Sequence, residues 1–441
     1  MQRSRSREAE FRGEITAFLA LIFMLMMSLV GALIESASIQ ISKNRKRADT
    51  LLALESVFAE YDRDVFEGYD IFVRKEQDGG GIEKRLEYYG TYGTEHSIVK
   101  KELLTDYGGQ PFFRQAVTYM KELIGIKGDA SREDYHISEG ELVEAEETEV
   151  FDKLEQMLDE SGEMLPEEEN PISSIQNLKK ANLLTLVSEH PENISKRTIQ
   201  LENLPTQRQL KEGNYGVAHE GSVEEKLLFI GYLLKHFGNA VSNEEEGALI
   251  YEQEYLLGGR ASDEENLEYV CKKIVYLRMA INYGYLITDA AKQAEAEAMA
   301  LSLCSLLTVP QITEVVKHAL LLAWAYGESI VDVRTLLKGE KVPLIKTAEN
   351  WQLQLINLAK LGTTEEVIDE KEDSGGWGYQ MYLAAVLAIT DQEDLCMRSL
   401  DLIESNLEVR TDECMTKVEI KSTVTLRRGV TDRFNTKYGY Q

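Results

Sequence analysis

The sequence predicts a helix-rich α+β protein. An N-terminal transmembrane helix continues into an amphipathic stalk helix and carries an extracytoplasmic head with a helical layer and a small antiparallel β part. Three observations predict it. A run of 20 residues, Ile15–Ile34, contains no charge. Apolar residues between about 223 and 408 recur at helical spacing. Near the end, Val418, Ile420, Ser422, Val424 and Leu426 alternate with Glu419, Lys421, Thr423 and Thr425, the period of a strand with one wet face.

The charge is placed unevenly. The 441 residues hold 48 Lys+Arg against 76 Asp+Glu, a net charge of −28. Residues 1–47 contain eight basic and four acidic groups, which makes them +4, and the remainder is −32. This balance argues against a nucleic-acid partner, whose phosphates need Lys and Arg, and against broad electrostatic docking on anionic lipid. Four cysteines exclude a disulfide-built scaffold. A hydrophobic content of 43% is enough for a packed core.

The uncharged run spans roughly 30 Å as a helix, the thickness of the bilayer's hydrocarbon core. Ile15, Phe18, Leu21, Phe23, Leu25, Leu29 and Leu33 are its membrane-anchoring side chains. A cleaved signal sequence would have a shorter apolar region, and a buried soluble helix would have a polar face. The expected layout has a cytoplasmic tail (1–14), a single span (15–34) and a translocated body, since long domains translocate largely regardless of flanking charge. Leu51, Leu54, Phe58, Tyr61 and Val65 follow at 3-4-3-4 spacing, which predicts a stalk helix over 35–72 packed on the head.

The body divides into a first α+β part (73–138), an acidic and irregular linker region (139–222), a helical domain (223–408) and a C-terminal β segment (409–441). Residues 76–94 read as a loop around short strands, Ser97–Thr105 as a strand, and Pro111–Ile124 as a helix with Pro111 in its first turn. Glu139–Glu169 carries 14 acidic residues and only Lys153 as a base, the signature of a solvated face or linker. Helices follow at Leu227–Phe237, 263–285, Ala290–Leu307, from Pro310 to about Leu336, Tyr379–Ile389 and Gln392–Asn406. The favoured arrangement is a small α+β unit interrupted by this helical layer.

Motifs for chemistry are missing. There is no Walker A, GxGxxG, GxSxG or HExxH sequence, and the six histidines share no metal-ligand spacing. No cofactor, metal or catalytic residue is therefore expected, and a small-molecule ligand is not. Asp62-Arg-Asp64 fails as a calcium loop, because Glu67 stands where an EF-hand needs glycine. One constellation remains. Glu254, Arg278, Asn282, Glu328 and Asp332 are spaced to converge within the helical layer. Paired carboxylates with an Arg suit ligand binding or acid–base work, or else a satisfied network that fixes helix packing.

At these residues the chain resembles a single bacterial family of unknown function. The likeness lies in blocks Gly13–Gln40, Ser56–Phe72, Leu103–Lys121, Leu249–Val270, Tyr276–Asp289, Leu320–Lys346 and Leu395–Asn406, in order across nearly the whole chain. The resemblance implies a single-pass protein of the bacterial cell membrane, associated with tight-adherence (Flp/Tad) pilus and secretion systems beside small pseudopilin-like proteins. No catalytic residues are established for the family. The anchor is also similar to a prepilin start, with Gly13 as the possible processing site. It departs at the fifth residue after that glycine, where type IV prepilins have Glu and this chain has Phe18. The function expected is non-enzymatic, through contacts with the bilayer and with pilus or secretion-apparatus proteins. The alternative is a cell-surface ligand-binding protein or enzyme using the polar cluster.

Overall fold

The computed structural model describes residues 2–76, 81–125, 156, 171–216, 221–242, 247–306, 312–369 and 375–440. The acidic run 139–169 lies outside them apart from Gln156.

The chain opens with one continuous helix, α1 (Gln2–Phe58), with Gly13 inside it. Its apolar stretch touches no protein: Phe18, Phe23 and Leu25 are each 65% exposed, and Ile15, Leu21, Leu29 and Leu33 are comparably bare. A helix this long and apolar, exposed on all sides near the N-terminus, is compatible with a membrane anchor or a signal sequence. The face turned to the rest of the protein begins at Glu35 and continues through Ile39, Lys43, Lys46 and Thr50 to Ala53, Leu54, Val57 and Phe58.

The predicted stalk is corrected in two respects. The helix ends at Phe58, and Leu51 points outward (39% exposed) while Thr50, Ala53 and Val57 join Leu54 and Phe58 on the buried face. The chain breaks because Asp62 starts a new helix, α2 (Arg63–Tyr69). Its carboxylate accepts from Val65 N at 3.1 Å and pairs with Lys75 at 2.6 Å. Val65 is therefore buried on α2, and Tyr61 lies in the connection, edge-on to Phe66 and Phe72.

A four-stranded antiparallel sheet is assembled from both ends of the chain. Its centre is β3 (Cys414–Thr425). Along one edge runs β2 (Thr94–Leu103), and along the other run β4 (Thr431–Gly439) and the two-residue β1 (Arg74–Lys75). The predicted alternation holds: Val418, Ile420 and Val424 are buried while Lys421 and Thr425 are exposed. The inner face packs Leu103, Met415, Val418 and Ile420 against Ala53, Leu54, Val57 and Phe58 of α1. Residues 82–88, expected to be loop, form a short helix, α3 (Ile82–Tyr88), because Ile82 and Leu86 complete that cluster.

Between β2 and β3 lies the helical body. It comprises α4 (Asp106–Ile124), α5 (Pro171–Lys180), α6 (Leu183–Val187), α7 (Val223–His236), α8 (Glu252–Gly258), α9 (Asp263–Leu286), α10 (Ala290–Leu306), α11 (Thr313–Leu337), α12 (Tyr379–Ile389) and α13 (Gln392–Leu407). Tyr107, Gly108 and Gly109 are left-handed, so the regular part of α4 begins near Pro111 as expected. Ser222 and Glu225 close a capping box on α7, and Ser262 caps α9. Two helices, α5 and α6, occupy part of the segment read as irregular, burying Ile172, Ile175, Leu184 and Val187. Its remainder is held by Arg208, which is bidentate to Glu404 at 2.7 and 2.8 Å and reaches Asp412 at 2.6 Å. All four cysteines are buried, and burial pushes the thiols of Cys271, Cys396 and Cys414 up.

Candidate functional site

Two long helices, α9 and α11, pack against each other and build the site. On α9, Arg278 and Asn282 are one turn apart. On α11, Glu328, Ser329 and Asp332 occupy the facing turn. After α11 the chain turns at Gly339 (φ 84°) and returns beneath the pair, delivering Lys346. Here α12 adds Tyr382.

Every member is fully enclosed, at 2% exposure or less. Arg278 Nε donates to Asp332 at 2.9 Å, and its Nη1 donates to the Pro343 and Leu344 carbonyls at 3.0 and 2.7 Å and to the Tyr382 hydroxyl at 3.1 Å. Asn282 accepts from Arg278 at 3.2 Å and donates to Ser329 and Asp332. Lys346 bridges Glu328 and, at 2.6 Å, Asp332. The backbone amides of Gln352 and Leu353 donate to Glu328 at 2.9 and 2.7 Å. Burial opposes ionisation of Asp332, but Lys346 and Arg278 outweigh it and hold the carboxyl below the usual range. Burial also works against the Lys346 ammonium, which its two carboxylates keep firmly charged. Two cationic side chains face two carboxylates, and burial pushes the Glu328 carboxyl up against the opposing pull of Lys346.

Glu254, expected in this group, is elsewhere. It sits on α8, where its Oε1 accepts from Ala240 N at 3.0 Å and from the Tyr379 hydroxyl at 2.7 Å. Its Oε2 is buried without a hydrogen-bond partner, and burial raises the carboxyl to about 7. Tyr379 and Tyr382 are three residues apart on α12, so that helix serves both clusters. The sequence reading missed Lys346, Ser329 and Tyr382. Charge balance was the available signal, since two carboxylates opposite a single Arg278 leave a buried deficit that a second cation must fill.

Chemically, this arrangement is a closed lock. Its donors and acceptors are spent on one another and on the 343–353 segment, and none faces solvent. The neighbouring cleft of about 530 Å³ is lined by Arg334, Lys338, Glu189 and Glu366, whose charges are likewise paired across it. Among the described residues, no group of three or more His, Cys, Asp or Glu side chains is placed to hold a metal.

Residues 161–426 match the model of a family of unknown function (DUF5702), and the chain belongs to that family. The matched span contains the entire ion network and the central strand β3, and it excludes α1, β2 and β4. No curated protein and no solved structure matches the chain.

Proposed function

We propose that the protein is a non-enzymatic, membrane-tethered component of a tight-adherence (Tad/Flp-like) pilus or related secretion apparatus, with its body on the extracytoplasmic side. The observation that carries this reading is the pilin-like layout of α1. Its stretch Ile15–Ile34 is bare and apolar, and its last turns lie across an antiparallel sheet. The pilus assignment itself rests on the family resemblance of the sequence blocks, the anchor included. On the face of α1 turned away from the body, Ile41 (66% exposed) and Leu52 (61%) extend the apolar surface beyond the span, where a neighbouring pilin-like helix would pack. The internally satisfied ion network supports a structural role over the alternative of a ligand site or enzyme.

The test is a pull-down of the full chain from detergent-solubilised membranes, with Ile41→Cys or Leu52→Cys as cross-linking positions. Recovery of pilus-assembly proteins, cross-linked through these positions, is the expected result. Their clean absence would overturn the reading.

A further inference from the structure

The contact between the body and α1 starts at the first residue beyond the apolar run. Glu35 forms an ion pair with Arg428, in the turn between β3 and β4. That turn, Leu426–Val430, places Arg428 in the left-handed region (φ 60°), leaving Arg427 exposed and Arg428 largely exposed beside the Glu35 carboxylate. Further along, Asp432 at the start of β4 pairs with Lys43 at 3.4 Å and Arg47 at 3.1 Å, which fixes the hairpin lengthwise along the helix.

These pairings set heights. In a span ending at Ile34, Glu35 lies within the headgroup layer, which extends about 5–8 Å beyond the hydrocarbon on each side. Lys43 and Arg47 lie roughly 13 and 20 Å above the hydrocarbon edge at about 1.5 Å per residue. With α1 upright the β3–β4 turn stands level with the lipid headgroups, and the tilt of α1 in the bilayer sets how closely the turn approaches them. The charge at this end opposes that of the chain as a whole. Residues 426–433 hold three Arg and one Asp, and residues 43–47 hold four basic groups and no acidic one. Arg45 does not join this edge, since it reaches up α1 toward Asp49, one turn farther from the bilayer.

We propose that the β3–β4 turn is a membrane-docking element: Arg427, and Arg428 through the donors its Glu35 pair leaves over, bind the phosphates of anionic lipid headgroups and seat the body on the bilayer surface. This rests on Ile15–Ile34 being the membrane span. It revises the expectation drawn from net charge, because a local basic edge within about 10 Å of the headgroups acts before the distant acidic surface is felt.

The experiment uses the full chain in vesicles, with a fluorophore on Thr431→Cys and a nitroxide quencher on the lipid headgroup. In vesicles with about one-third phosphatidylglycerol, quenching is expected to be strong and to weaken with salt. In phosphatidylcholine alone it should be much smaller. Each arginine is worth about fivefold in the docked-to-undocked ratio, so Arg427→Glu with Arg428→Glu should lower it at least 25-fold. Arg427→Glu alone keeps the Glu35 pair and should give an intermediate loss, whereas Lys437→Glu, further up the sheet, should give none. Quenching indifferent to lipid charge or to the arginine reversals would overturn the proposal, as would its absence. Flotation with the vesicles after an alkaline wash reads the span separately. A chain that fails to float contradicts the membrane anchor, and one that floats unquenched contradicts only the docking.

Discussion

Lys346 closes the buried ion network by pairing with both Glu328 and Asp332. Replacing it with Met strands Glu328 and Asp332 opposite a single Arg278 in a site closed to water. Breaking a buried ionic set in this way costs about 3–5 kcal/mol. The midpoint of denaturant unfolding in detergent should fall accordingly, with a smaller loss for Tyr382→Phe, which removes one hydrogen bond from the Arg278 guanidinium. Glu254 gives a different signal. Its carboxyl lies at about 7 in the folded protein against an ordinary 4.5, so the native state holds the proton more tightly than the unfolded chain. Stability is then unaffected by this group below about 4.5, falls as pH rises toward 7, and is level above. The loss amounts to roughly 3 kcal/mol. Glu254→Gln should flatten this fall in a series of unfolding curves between pH 4.5 and 8. An unchanged slope would show that the proton is not held at Glu254.

Helix α1 shows how far periodicity reaches as a guide to elements. The 3-4 spacing identified a helix and placed Leu54 and Phe58 inward correctly. It also admitted Leu51, and it ran on through Tyr61 and Val65. Spacing alone cannot tell a stripe on one helix from two helices meeting at a capped turn, and Asp62 supplied the turn. Leu54→Ala should therefore cost about 2–5 kcal/mol, while Leu51→Ala should stay within about 0.5 kcal/mol. Equal losses in thermal unfolding would contradict the observed face. The long helices of the body were legible for the same reason α1 was, since each buries one stripe of a pattern several turns long. Short elements were not. Three turns or fewer at α3, α5 and α6 carry too few apolar positions to reveal a period, and their burial depends on partners far along the chain.

For the molecule as a whole, the candidate network was half legible. Helical spacing aligned Arg278 with Asn282 and Glu328 with Asp332, but it could not say which surface of α8 faced them, so Glu254 was misplaced. Lys346 was invisible because a loop, not a helix, carries it. The sheet and the helical body are bonded to each other: Arg114 of α4 pairs with Glu102 of β2 at 2.7 Å, and in the segment leading into β1 the Phe72 backbone exchanges hydrogen bonds with Gln115 of α4 at 2.9 and 3.0 Å. Both parts should unfold in one transition, with aromatic and backbone circular dichroism changing together; two separated transitions would count against this. The pairing of β2 with β3 has a further consequence in time. Some 310 residues separate the end of β2 at Leu103 from the start of β3 at Cys414. At about 5–20 residues per second, the ribosome needs roughly 15–60 s to supply the missing central strand. During that interval α1 is already made, while β2 presents an unpaired edge beside it. The newborn chain thus depends on whatever shields that edge until its last segment arrives.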